Sequence, residues 1–197
     1  MEKTNGPILR DLPEELSGER VLLRPYRAGD GKALWEAIED SREKLQPWRP
    51  YEHSPVAPDE AEVEAYVLGE REKWIQREYL SMSLWEKATR QYLGGVGLYS
   101  IRWEVPSFQI GYWLRASAEG KGYMTEAARL LCDYAFQIFK AQLVEIRCDT
   151  RNVRSAGIPR RLGFTYDGTL QSQSRTPQGE LQGDFVFSMT PDRYKKE

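Results

Sequence analysis

Four consecutive residues, Glu119-Gly120-Lys121-Gly122, stand where an apolar, strand-like run (Ile110–Leu114, IGYWL) gives way to a helical pattern opening near Tyr123. Two glycines allow a tight turn in which consecutive backbone N–H groups converge. The helix that follows adds its own unpaired N–H groups and the positive end of its dipole. Together they form a cradle for a pyrophosphate. A Walker A loop would require Gly-Lys-Ser/Thr, but Gly122 is followed by Tyr123 and no such triplet occurs in the chain. A dinucleotide fingerprint, G-x-G-x-x-G, would need its third glycine where Thr125 stands. The plain alternative is a glycine-rich turn with no ligand, since Gly-x-Gly at a helix start is weak evidence by itself.

The IGYWL strand, the EGKGYMTEA turn and a later Asn152-x-x-Ser155 ahead of Leu162-Gly163-Phe164 resemble the GNAT superfamily of acyl-CoA N-acyltransferases. Within it the sequence is most similar to the ribosomal-protein N-terminal acetyltransferase (RimJ/RimL) type. The resemblance extends from Glu19 to Tyr194, is most specific in Ile110–Ala127 and Arg147–Phe164, and is weak before Leu80. It implies an α/β GNAT fold, a single domain with a mixed, largely antiparallel sheet splayed between its two middle strands and flanked by helices. It also implies that the pyrophosphate belongs to coenzyme A and that acetyl-CoA is the acetyl donor.

Carried over residue by residue, the resemblance gives the backbone of Tyr112, Trp113 and Leu114 the task of holding the pantetheine amides in the splay. One of these N–H groups, assigned to Leu114, would face the thioester oxygen as an oxyanion hole. The pyrophosphate cradle would be Glu119, Gly120, Lys121, Gly122, Tyr123, Met124 and Thr125. Glu119 departs from the neutral or positive residue usual in the family, so its carboxylate is expected to turn away from the phosphates. Lys121 either supplies a compensating charge or is simply solvated. Thr125 either offers its hydroxyl to a phosphate or caps the helix. Asn152 and Ser155 would reach the pantetheine arm and the sulfur. Ser155 could donate a hydrogen bond or a proton to the departing thiolate, and a serine there is also a good helix N-cap. Gly157-Ile158-Pro159 is a second departure: glycine weakens a helix, and proline removes a donor just past the first turn.

No clear general base is present. Where relatives carry a Glu after Leu-Gly-Phe, or an Asp in the last strand, this chain has Ser174 and Gly183. Asp184, Glu104 and His53 remain as candidates, each with an ordinary solvated role as the alternative. A strong base is not required, because an α-amine has a pKa near 8 and is partly neutral at working pH. The amine would attack the thioester directly, since neither Cys has a neighbouring base. The acceptor mouth is expected from Gln46–Tyr51, with Trp48 and Tyr51, together with Trp85 and the final hairpin. A protein N-terminal α-amine is the leading acceptor. A small amine such as a polyamine or aminoglycoside is the alternative, and a non-catalytic acyl-CoA-binding module is the reading of another class.

These residues need elements to position them. The patterning predicts a loose arm over 1–18, an acetyltransferase domain over 19–194, and a strand at Arg20–Pro25. Asp30 is placed to cap a helix over Lys32–Lys44, and Asp59 to cap a long helix bearing Val63, Tyr66, Val67 and Trp74. Strands are expected at Leu80–Trp85, Tyr92–Arg102, Phe108–Arg115 and Leu143–Cys148. Helices are expected at Tyr123–Phe139 and Ser155–Leu162. A final hairpin joins Phe164–Gln173 to Leu181–Met189.

Composition sets the outer limits. The chain of 197 residues has a formal net charge of −2, with no basic stripe interleaved with aromatics, which argues against direct nucleic-acid binding. No apolar run approaches a membrane span, and MEKTNGPILRDLPEEL has no signal-like apolar core, so a cytoplasmic location is expected. Cys132 and Cys148 sit in apolar contexts suited to reduced core residues. With one His, no zinc site is expected and no metal is assigned. The final hairpin and exposed aromatics are suited to a homodimer contact.

Overall fold

Side chains alternate across a strand, and this alternation sorts the apolar residues onto two faces of one sheet. The computed structural model describes residues 11–48, 59–175 and 179–194. Its strands are β1 (Leu16–Ser17), β2 (Val21–Pro25), β3 (Leu80–Glu86), β4 (Tyr92–Arg102), β5 (Ser107–Leu114), β6 (Leu143–Asp149), β7 (Thr165–Arg175) and β8 (Leu181–Met189). Its helices are α1 (Gly31–Glu39), α2 (Arg42–Leu45), α3 (Glu60–Gln76), α4 (Tyr123–Gln137) and α5 (Val153–Arg161). The eight strands lie in the order β1-β2-β3-β4-β5-β6-β8-β7. Every neighbouring pair is antiparallel except β5 with β6. That parallel pair is joined through α4, as a parallel connection requires a crossover.

On one face, Leu84, Leu93, Phe108, Ile110 and Cys148 join a core with Ala127, Leu131, Ala156 and Ile158 of α4 and α5. On the other, Trp85, Tyr92 and Trp113 pack with Leu34, Ile38, Val63 and Val67 of α1 and α3. Cys132 and Cys148 are both buried and free. Among the described residues, no helix is long and apolar enough to cross a membrane.

The feature that matters for chemistry is a gap in the sheet. β5 and β6 pair from Ser107/Leu143 to Ile110/Ile146 and then part. β6 continues to pair with β8 as far as Asp149/Asp184, while β5 stays with β4 through Leu114. Gly111–Leu114 therefore face a V-shaped opening.

Several local expectations change. The helix expected over Lys32–Lys44 breaks at Asp40–Ser41. There Ser41 Oγ accepts from the Ala116 backbone N–H at 2.9 Å, and Asp40 pairs with Arg115. Tertiary bonds to the loop after β5 thus take groups that a continuous helix would have ignored, and Gln46–Trp48 follows as a 3₁₀ turn. Asp30 stands at the start of α1 but makes no cap bond. Its carboxylate instead receives both Arg24 guanidinium nitrogens at 2.7 Å and the Arg27 N–H at 2.9 Å. Asp59 does cap α3, accepting from Glu62 N–H at 2.9 Å. Leu16–Ser17, within the stretch expected to be a loose arm, pairs with Leu23 and Leu22 as an edge strand. α5 starts at Val153 and runs through Pro159.

Candidate active site

The gap takes its character from the backbone of β5. Arg115 N–H donates to Leu93 O of β4 at 2.7 Å. Successive residues of a strand turn their N–H and C=O to opposite sides, so Leu114 and Tyr112 turn theirs into the gap. Trp113 faces β4: a Cβ on Gly94 would lie 2.2 Å from Trp113 O. Of the three residues expected to hold pantetheine, Tyr112 and Leu114 offer their backbone to the opening and Trp113 does not. Trp113 sends its side chain to the α1/α3 face, where its ring centroid lies 6.1 Å from that of Tyr92.

At the open end of β5 the chain forms the glycine turn. Gly120 and Gly122 have φ of +75° and +84°, a region that residues with a Cβ avoid. Gly122 is the N-cap of α4, so the N–H groups of the next residues have no helical partner. Tyr123 and Met124 turn their side chains inward: the Tyr123 hydroxyl donates to Glu86, and Met124 is buried. Only their backbone is left to the cradle. Glu119 is drawn aside by Arg154 Nη1 at 2.5 Å and Lys44 Nζ at 3.4 Å. Lys121 is exposed, and its carbonyl accepts from Arg20 Nη1 at 2.8 Å. Thr125 does not cap the helix; its hydroxyl accepts from Arg161 Nε and Nη2, both at 3.2 Å. Arg20 and Arg161 beside the turn were not anticipated, because 101 and 36 residues separate them from their partners.

Across the gap, α5 brings up Asn152 and Ser155. Asn152, and not Ser155, is the N-cap: its Oδ1 accepts from Ser155 N–H at 3.0 Å. The Ser155 hydroxyl is thereby spared and donates to Tyr112 Oη at 3.2 Å. Tyr112 Oη in turn donates to Ser155 O at 3.0 Å. The Tyr112 phenol is thus a side-chain participant that the sequence reading used only for its backbone. Cys148 lies beside Ser155, and burial pushes its thiol up to about 11, so it stays protonated at neutral pH.

The α1/α3 side of the gap has different chemistry. Asp149 ends β6 and is held by Arg151, through Nε at 2.9 Å, Nη2 at 2.5 Å and the backbone N–H at 2.8 Å. The side-chain bond to Arg151 lowers the Asp149 pKa against the opposing effect of burial. Arg151 also donates to Gln182 Oε1 at 2.7 Å and stands 5.8 Å from the Trp48 ring centroid. Trp48 is therefore brought to this mouth. Asp184 pairs with Asp149 across β8 and β6. Its pKa is raised, first by burial and then by Asp149, with Arg147 opposing.

Other expected residues fall elsewhere. Trp85 lies two strands from β5, under Arg24, with its indole N–H donating to Ser83 Oγ at 2.9 Å. Glu104 sits in the turn between β4 and β5, at the opposite end of β5 from Leu114. Tyr51 and His53 lie outside the described residues, as does the Ser174 side chain.

Comparison with known proteins agrees with this geometry. The family model described as an acetyltransferase (GNAT) domain matches residues 20–165. YdaF of Bacillus subtilis, named as a candidate ribosomal N-acetyltransferase, is 26% identical over 150 residues, covering 76% of this chain and 80% of its own. The ribosomal-protein-S5-alanine acetyltransferase from Vibrio fischeri superposes with a TM-score of 0.80 at 21% identity, covering 94% of this chain and 100% of that one. The ribosomal L7/L12 α-N-protein acetyltransferase RimL, solved with coenzyme A, gives 0.82 at 18% identity, covering 91% and 99%.

Proposed function

The chain belongs to the GNAT acetyltransferase family, and from that premise we propose that its acceptor is the N-terminal α-amine of a protein. It is an acetyl-CoA-dependent N-acetyltransferase. The names of YdaF and of the two ribosomal-protein acetyltransferases support a protein acceptor. The observation that carries the site assignment is the opening beyond Ile110 and Ile146, with Tyr112 and Leu114 backbone on one wall and Ser155 on the other.

The residues fit the donor. Gly120 has open space where a Cβ would be, and the first turn of α4 offers backbone N–H groups to a pyrophosphate. Asn152 and the backbone of Tyr112 and Leu114 flank the pantetheine arm. Leu114 N–H faces the thioester oxygen and stabilises the charge that develops on it as the amine attacks. Because that N–H is fixed by the strand, it needs no reorganisation during the reaction. Ser155 lies on the leaving-group side, where its hydroxyl, turned from Tyr112 to the sulfur, donates a hydrogen bond to the thiolate, which takes its proton from solvent. On the opposite side, Asp184 takes the proton that the amine loses. Trp48 shapes the entry. The acetyltransferase domain expected over 19–194 also takes in β1 at Leu16–Ser17, which pairs with β2 in the same sheet.

Incubation with acetyl-CoA and a mixed panel of peptides, polyamines and aminoglycosides, read by mass spectrometry, tests the proposal. Acetylation confined to peptide N-termini is the expected result. Turnover of the small amines alone would overturn it.

A further inference from the structure

α3 covers only part of its sheet face. It ends at Gln76, and the chain returns through Tyr79 into β3. Below the gap, the α3 side of β4, β5 and β6 is left with a cavity of about 690 Å³, within the range of ligand pockets. Its lining includes Glu78, Tyr79, Arg102, Gln109, Glu145 and Arg147. None of these belongs to the cradle or to the Ser155 wall.

Three features define what would fit. The cavity adjoins the gap: Gln109 and Arg147 flank Ile110 and Ile146, the last residues at which β5 and β6 pair. The boundary on the gap side is aromatic: the Tyr99 ring packs over Gly111, where a Cβ would meet it at 3.0 Å, and Tyr79 lines the cavity itself. The charges balance, with two carboxylates and two guanidiniums in the lining. One pair is closed internally, Arg147 Nη2 donating to Glu145 at 3.2 Å. A polyamine would call for an excess of carboxylates, and a phosphate for an excess of cations. A polar, uncharged main chain with varied side chains matches a neutral lining of donors and acceptors.

We infer that this cavity is a subsite for the acceptor's own polypeptide, holding the residues that follow the reacting N-terminus. The inference rests on the protein-acceptor reading above and adds a length requirement to it. From Gly111 to Ser107 an extended chain rises about 3.3 Å per residue. An acceptor would therefore need about five residues to reach the far end.

The test is kcat/KM for one N-terminal sequence extended from two to ten residues, measured with the wild-type chain and with Gln109→Trp, which obstructs the cavity at the end that adjoins the gap. The wild type should gain at least about tenfold, equivalent to about 1.4 kcal/mol, between two and six residues and then level off. Gln109→Trp should lose that gain and keep its activity on the dipeptide. Peptides acetylated equally well at every length would overturn the subsite and leave the protein-acceptor reading intact. Acetylation of small amines with no peptide accepted would overturn both. Should Gln109→Trp not fold, the wild-type length series decides alone.

Discussion

The Tyr112 hydroxyl supplies the hydrogen bond that Pro159 cannot. In α5 the carbonyl of Ser155 would ordinarily accept from the N–H of residue 159, but proline has none. Tyr112 Oη donates to Ser155 O at 3.0 Å instead and accepts from Ser155 Oγ at 3.2 Å. The departure from helical sequence at Pro159 thereby ties β5 to α5 across the gap, and it fixes the orientation of the Ser155 side chain.

Tyr112→Phe should leave the Ser155 carbonyl without its partner and cost about 1–3 kcal/mol of stability. Pro159→Ala restores a backbone N–H, so the double variant should recover part of that loss. Urea unfolding of both single variants and the double variant measures the coupling. Strict additivity would mean that the two residues do not share the carbonyl.

Asn152 and Ser155 should separate cleanly. Asn152→Ala removes the cap of α5 and should cost about 1 kcal/mol of stability. Ser155→Ala keeps the cap and should lower kcat while changing acetyl-CoA affinity little, because a bond to the thiolate strengthens only as charge develops. Unfolding curves, acetyl-CoA titration and steady-state kinetics on both variants give the comparison. Unchanged kcat in Ser155→Ala would remove it from the mechanism.

Gly122→Val places a β-branched residue at φ +84° and a Cβ 3.2 Å from Arg20 Nη2. Such backbone strain costs roughly 1–3 kcal/mol, and relieving it moves the N–H groups of the cradle. Acetyl-CoA affinity, measured by calorimetry on the folded variant, should fall by far more than stability does. Wild-type affinity would show that the turn does not face the donor.

Asp184 should trade stability for activity. Its raised pKa means that the folded state holds the proton more tightly than the unfolded chain. Stability from this group is therefore present at low pH and is lost as pH rises through the folded pKa. Asp184→Asn removes that loss, so it should unfold at higher urea than wild type at pH 7. The advantage should vanish below the ordinary carboxylate range near pH 3.9. If the carboxylate accepts the amine proton, the variant's turnover should fall by about 10²-fold or more at neutral pH. Unaltered turnover would leave the proton to water.

Asp59, Gly120 and Gly122 were legible from sequence because local chemistry decides them. A cap or a tight turn is settled within a few residues, by a carboxylate that reaches an N–H or by the absence of a Cβ. The same holds for the strand alternation that builds both faces of the sheet. The family resemblance carried the splay and the donor, through motifs that are also local. What needed the folded chain involves partners far apart in sequence. Asp30 could not be told from a cap without Arg24 bonded to it. Ser155 could not be relieved of capping until Asn152 took that position and Tyr112 arrived from β5. Trp113 and Leu114 are adjacent in the chain, yet only pairing with β4 decides which of them turns its backbone into the gap. Hydrogen-bond competition is resolved by whichever partner tertiary packing delivers, and that delivery is a property of the whole sheet.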